Sequence, residues 1–171
     1  MTDDKSRPDP AQGPAQDVPT FVELVKGERT CMFTSLDSGG TIISRPMAVQ
    51  HVDDDGTLWF MAFADSPKIE QLAAHPQVNL GFVSGSSWVS ASGTGELVDD
   101  VAKKKELWNP FAEAWFQREP ESPEVALIRV RVTGGEYWDS PSKPAQLFGM
   151  VKAAVTKDRP DDGENAKLDL A

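Results

Sequence analysis

Between Thr30 and Ala102 the chain carries only two Lys or Arg side chains, Arg45 and Lys68, in a stretch otherwise rich in acids. Arg45 interrupts the apolar run TIISRPMAVQHV, and Lys68 follows Ser66-Pro67, where a helix is expected to begin. Ser66 suits the N-cap and Pro67 the first helical position, which puts Lys68 in the second. A cation there opposes the helix dipole, at a cost of about 0.3–1 kcal/mol when exposed. A bound anion would reverse that sign, because the free N–H groups of the helix start and the ammonium would then act together. The chemistry these residues suggest is capture of a small anion, a phosphate first of all. On the residues alone a plainer alternative stays open: Arg45 paired with a carboxylate such as Asp65, and Lys68 simply solvated.

Other chemistries find less support. With His51, His75 and one cysteine there is no metal constellation, and neither GxGxxG nor a Walker loop occurs. His75, next to Pro76, reads as a helix stop, and His51 as a structural or solvent-facing strand residue. Cys31 reads as a buried core thiol rather than a nucleophile. As the only cysteine it forms no intrachain disulfide, which fits a reducing compartment. A formal charge of −10 argues against a nucleic-acid partner and against docking on an anionic membrane. The first residues have no apolar run that would serve as a secretory signal, and no later run is apolar enough to span a bilayer. A cytoplasmic protein is the expectation.

The elements that must position Arg45 and Lys68 can be read from pattern and punctuation. In 171 residues, 39% hydrophobic and 26% charged, one domain with a sizeable core is expected. Residues 1–18, rich in Pro, Asp, Gln and Gly, predict a disordered tail. Thr20 with Glu23 matches a capping box, and Gly27 a left-handed helix stop. RTCMFTSL predicts a strand, closed by the DSGG turn. TIISRPMAVQHV predicts a second strand, with Pro46 marking an edge or a bulge. There the backbone of Met47 and Ala48 would be free for a ligand. After DDDG, TLWFMAF is apolar on both faces, as a strand covered on both sides should be. PKIEQLAA predicts the helix that Lys68 opens.

QVNLGFVS and WVSASGTGELV predict a strand pair, whose strand glycines signal a bulge or the close approach of a backbone or a flat ligand. DDVAKKKELWNPFAEAWFQ predicts two helical pieces broken at Asn109-Pro110, with Trp108, Phe111, Trp115 and Phe116 on one aromatic face. EVALIRVRVT predicts a long strand with Arg129 and Arg131 outward, and GGEYWDS a separate short one. AQLFGMVKAAV has helical spacing, and residues 158–171 read as a loose tail. The sum is a mainly β (α+β) chain of six or seven strands joined by hairpin turns, an antiparallel barrel with peripheral short helices.

The order strand–SRPM–strand–WFM–x4–SPK, then SGTGELVDD, ELWNP, AWF and GGEYWD, resembles the general stress protein 26 branch of the pyridoxamine-5′-phosphate-oxidase-like flavoproteins. The likeness runs from about Phe21 to Thr156. It implies a split β-barrel over residues 19–157 that binds FMN at the interface of a homodimer. It also implies that Arg45, Ser66 and Lys68 meet the FMN phosphate, and that Pro46, Met47 and Ala48 run along the flavin. Met61 and Ala62 are implied to face the cofactor, and Trp138 to close over it from the partner subunit.

Two departures argue against oxidation of pyridoxamine phosphate itself. Met61-Ala62 stands where such oxidases carry a Tyr-Thr pair. After Trp138, DSPSKPAQ offers only Lys143 in place of their Arg-x-His segment. Trp59, Trp88, Trp108 and Trp115 are candidates to line a substrate pocket or to fill cores and interfaces. The resulting expectation is an FMN-dependent oxidoreductase with a small-molecule substrate. The alternatives are a flavin-binding or flavin-sensing stress protein without turnover, a barrel that takes a deazaflavin or haem, and a plain interaction module.

Overall fold

Short β-branched and aromatic runs punctuated by glycine turns make the chain a succession of hairpins, and the computed structural model shows how they curl. It describes residues 18–85, 87–139 and 164–169. In order these form α1 (Val18–Val25), β1 (Thr30–Leu36), β2 (Ile42–Ala48), β3 (His51–Val52), β4 (Leu58–Phe63) and α2 (Pro67–Ala74). β5 (Gln77–Ser84), β6 (Ser87–Val98), α3 (Val101–Leu107), α4 (Pro110–Phe116), β7 (Val125–Asp139) and β8 (Glu164–Asp169) follow. Every ladder is antiparallel, and the strands run β2-β1-β5-β6-β7-β4-β3, with β8 paired to the far half of β7. The antiparallel split barrel with peripheral helices is thus the observed architecture.

The split lies between β2 and β4. β2 and β3 stand at opposite ends of the ladder path, yet only Val49 and Gln50 separate them in the chain. Val49 N donates to Arg29 O at 3.0 Å and Gln50 N to Trp59 O at 2.9 Å, so these two residues step from one end of the sheet to the other. The ends meet without a ladder between them, and an open seam results. Pro46 sits on the edge strand β2 opposite Met32, where its missing N–H costs no ladder bond.

β4 divides the core in two. Leu58, Phe60 and Ala62 face the main cluster with Phe33, Leu80 and Ile128, while Trp59 and Met61 face a second cluster under α3 and α4. A strand covered on both faces needs apolar side chains on both, and this explains why TLWFMAF does not alternate. Phe33 meets Phe60 edge to face at 5.3 Å between centroids inside the main cluster.

The glycines of SASGTGELV are explained by a backbone rather than a ligand. A Cβ on Gly93 would land on the Arg131 carbonyl oxygen, and one on Gly135 on the Ser90 carbonyl oxygen. The register between β6 and β7 shifts at Ser92/Gly93, which is the bulge that lets the two long strands lie so close.

Several expectations are corrected. Thr20 lies inside α1, which is already helical at Val18 with Pro19 in its first turn, a place proline favours; it is therefore no N-cap. Gly27 does not take a positive φ; the helix ends instead with Glu28 N donating to Val25 O at 3.0 Å. GGEYWD is not a separate strand but the second half of β7, continuous because Gly134 and Gly135 stay in register with β6. Within residues 158–171, expected as a loose tail, Glu164–Asp169 form β8, held by a ladder that no local pattern predicts. Residues 1–17 and the AQLFGMVKAAV stretch lie outside the described residues. Among the described residues, no helix is long and apolar enough to cross a membrane.

Candidate functional site

Arg45 and Lys68 converge on one cavity of about 390 Å³ in the seam between β2 and β4, roofed by α4. Arg45 projects from β2 on the face that carries Met47, toward β1 and α2. Its Nη1 donates to Ser35 Oγ at 2.7 Å and its Nη2 to Gln71 Oε1 at 2.7 Å, while Ser35 Oγ donates to Gln71 Oε1 at 2.8 Å. Both partners are buried, Ser35 at 2% and Gln71 at 8% exposure, so the guanidinium is held by a fixed neutral cradle.

Among the described residues, no carboxylate pairs with these cations: every ion pair leaves out both Arg45 and Lys68, and the expected alternative, a bridge to Asp65, does not form. Burial holds the Arg45 guanidinium below its ordinary value. Burial first, and then the positive charge of Arg45, pull the Lys68 ammonium down as well. Two neighbouring cations that disfavour each other, with no counter-charge between them, form a site that an anion would relieve. The donor set fits a phosphate: a guanidinium with donors to spare, an ammonium and the start of an eight-residue helix.

Ser66 occupies the N-cap of α2, but its hydroxyl donates to Phe63 O at 2.6 Å and makes no side-chain cap bond. It fixes the entry to the helix, where Pro67 has no N–H and Ile69 N donates to Ser66 O at 2.9 Å, so of the first three positions the Lys68 N–H is the one left to another acceptor. Pro46, Met47 and Ala48 on β2, and Met61 and Ala62 on β4, all line the cavity with the two cations. Seven of the nine residues singled out in the sequence therefore line a single cavity, and Ser66 stands beside it. Trp138 is apart. It lies in the far half of β7, opposite Trp88, and is not among the lining residues of its own chain.

Ser35 and Gln71 were not anticipated, although their signals exist. Ser35 is the diagonal cross-strand neighbour of Arg45, whose direct partner is Phe33. Gln71 follows Lys68 by three residues and so shares its helix face. Gln50, a further lining residue, accepts from Asn109 Nδ2 at 2.9 Å and so pins α4 to the strand crossing. Asn109 also caps α4, accepting from Ala112 N at 3.0 Å, with Pro110 behind it.

The tryptophans divide. Trp59 is buried, donates to Asp53 Oδ2 at 2.6 Å and carries Lys103 over its ring. Trp108 packs against the second cluster, Trp88 is exposed on β6, and only Trp115 of these four lines the cavity. The single aromatic face expected for Trp108, Phe111, Trp115 and Phe116 is in fact two. Trp108 and Phe116 turn to the core, whereas Phe111 and Trp115 turn outward, because α4 starts afresh after the Asn109 break. Cys31 is buried and its thiol is pushed up to about 12, consistent with a core role. His51 stands beside Asp53 at 3.2 Å, half exposed, and His75 caps the end of α2.

An antiparallel barrel split along one seam, with two cations lining a cavity at that seam, defines a split-barrel protein. The chain belongs to the pyridoxamine 5′-phosphate oxidase like family, whose model matches residues 16–161. A general stress FMN/FAD binding protein from Xanthomonas citri is 30% identical, with a TM-score of 0.63 over 73% of this chain and 89% of that one. A Jannaschia sp. CCS1 structure described as general stress protein 26 is 26% identical, with a TM-score of 0.69 over 87% and 95% of the two chains. The Protein bli-3 of Neurospora crassa is 28% identical over 134 residues, 71% of this chain. The chain spans 64% of the length of that curated relative.

Proposed function

We propose that this chain is an FMN-binding general stress protein that works as a flavin-dependent oxidoreductase on a small-molecule substrate. The observation that carries the reading is the convergence of Arg45 and Lys68 on one cavity with no carboxylate between them. Arg45, set by Ser35 and Gln71, and Lys68, at the start of α2, would hold the FMN phosphate. Pro46, Met47 and Ala48 on the free edge of β2, with Met61 and Ala62 across the seam, would flank the flavin ring. When bound, the flavin supplies the electron transfer, and the chain supplies anchoring, orientation and exclusion of water.

The partner in this reading is a second copy of the chain. Trp138 does not reach the cavity of its own subunit, so closure over the flavin falls to Trp138 of the other copy in a homodimer. The lining residues include no His, Cys or Tyr, which leaves only the thioethers of Met47 and Met61 to ligate a haem iron and favours flavin over haem.

One observation favours a second reading, a protein that holds or senses flavin without turnover. Among the lining residues, Arg45 and Lys68 are the only ionisable side chains, so no carboxylate, imidazole or thiol lines the cavity to act as an acid or base. Mixing the holoprotein with NADH or NADPH separates the two, since bleaching of the flavin supports the oxidoreductase and no reduction by any donor supports the holder. The first test is the visible spectrum of freshly purified protein. An oxidised-flavin spectrum, with FMN released on denaturation and a dimer in sedimentation, is expected. A colourless protein that takes up no FMN overturns the reading.

A further inference from the structure

We propose that the α4 wall of the cavity seats a second molecule, planar, aromatic and uncharged, by stacking on Trp115 and Phe111. This rests on the FMN reading, since it concerns what the remaining wall can bind once the two cations are taken.

Helix α4 sorts its aromatic residues. Phe116 packs edge to face on Phe63 at 5.0 Å and tilts against Trp108 at 5.9 Å, which fastens the helix to the second cluster. Phe111 and Trp115, one helical turn apart, lie nearly parallel, at 14° with 6.2 Å between centroids. They stay 60% and 65% exposed, respectively. The Asn109 bond to Gln50 fixes the start of the same helix. The pair is therefore held in place from behind while most of its surface stays exposed.

Position separates these rings from an ordinary exposed patch. Both line the same cavity as Arg45 and Lys68, so although largely exposed they stand at the mouth of the site. Phe111 also lines an adjoining open groove of about 910 Å³, which gives a molecule on this wall a way in. Aromatic rings left exposed and nearly parallel favour a flat aromatic partner over a branched aliphatic one.

Charge fixes the rest of the description. Arg45 and Lys68 are the only charged residues among those lining this cavity, and they come from β2 and α2 rather than α4. With both engaged by one phosphate, a second anion would meet no cation and would be repelled by the first. The adjoining groove adds Lys26 and Arg29, but Lys26 is paired with Asp54 at 3.6 Å and Glu28 lines the groove beside Arg29, so this wall favours an uncharged molecule over an anion such as a phosphate ester.

The test uses the holoprotein and two probes, menadione, a neutral flat quinone, and 1,4-naphthoquinone-2-sulfonate, which carries a sulfonate in place of the menadione methyl group. Binding is measured by calorimetry and by perturbation of the flavin spectrum. Menadione is expected to bind at least tenfold more tightly than the sulfonate. Trp115→Leu and Phe111→Leu are each expected to weaken menadione at least tenfold, and Trp115→Phe to restore most of it, with FMN content and sedimentation unchanged. Menadione that binds the Leu variants as well as wild type, or equal affinity for the two probes, overturns the proposal. So does loss of FMN in the Leu variants, which would make the rings part of the cofactor seat. Dissociation of the dimer in those variants overturns it too, by making them a contact between copies. A wild-type protein that takes up no flavin defeats the FMN reading instead, whereas one that binds FMN and ignores menadione defeats only this inference.

Discussion

Gln71 Oε1 accepts from Arg45 Nη2 at 2.7 Å, so the helix that carries Lys68 also holds the guanidinium beside it. The acceptor is a neutral amide, and that neutrality leaves the charge of Arg45 available. Gln71→Glu would place a carboxylate on the same atom position and pair it with Arg45. We expect the apo protein to gain thermal stability while FMN affinity falls by roughly 10- to 150-fold, the range for a lost charge-assisted hydrogen bond. Melting curves and a binding titration on the same sample check whether stability and affinity move in opposite directions.

Removing either cation should be felt directly. Arg45→Ala and Lys68→Ala are each expected to weaken FMN by about 1.5–3 kcal/mol, the value of hydrogen bonds to charged groups. Riboflavin, which lacks the phosphate, should bind wild type and both variants alike. Equal FMN affinity across all three proteins in fluorescence titration would remove the phosphate seat.

The Lys68 ammonium is held below its ordinary value by burial and by Arg45, so the folded apo protein binds this proton less tightly than the unfolded chain does. Between the lowered value and 10.5 the unfolded state therefore carries more protons, and apo stability is expected to rise with pH across that window. Bound phosphate favours the ammonium, so FMN should raise the Lys68 value, and FMN affinity should fall as pH climbs through it. Lysine-selective NMR titration with and without FMN gives both signs. A Lys68 resonance that FMN leaves unmoved contradicts the site.

Gly93 lies against the Arg131 backbone, where a methyl group would strike the carbonyl oxygen. Gly93→Ala is expected to destabilise the fold by about 3 kcal/mol, the upper end of overpacking costs, because backbone cannot move aside as a side chain would. Gly27→Ala, with nothing within 4 Å of the added carbon, should be nearly silent in the same denaturant titration.

Trp138→Ala should change the fluorescence of bound flavin and loosen it while leaving the melting temperature largely unchanged. Mixed dimers of Trp138→Ala with Arg45→Ala chains should then contain one intact site, since the two residues would serve opposite cavities. A flavin count of none in such mixtures argues that Trp138 acts within its own chain.

The residue sequence by itself determined what depends on near neighbours. Pro46 could only be an edge residue, because it lacks a ladder donor, and β2 is an edge. Ser66-Pro67 could start a helix and His75-Pro76 could end one, and α2 does both. The isolation of Arg45 and Lys68 among acids was visible without coordinates. Only the tertiary structure decided that β2 and β4 face each other across a seam, since that follows from the five ladders linking them, three of which (β1–β5, β6–β7 and β4–β7) join segments distant in the chain. It also decided that Ser35 and Gln71 cradle Arg45 in place of Asp65, and that Phe111 and Trp115 turn away from Trp108 and Phe116. Propensity and spacing act over a few residues, whereas which side chain meets a lone cation is settled by the closure of the whole sheet.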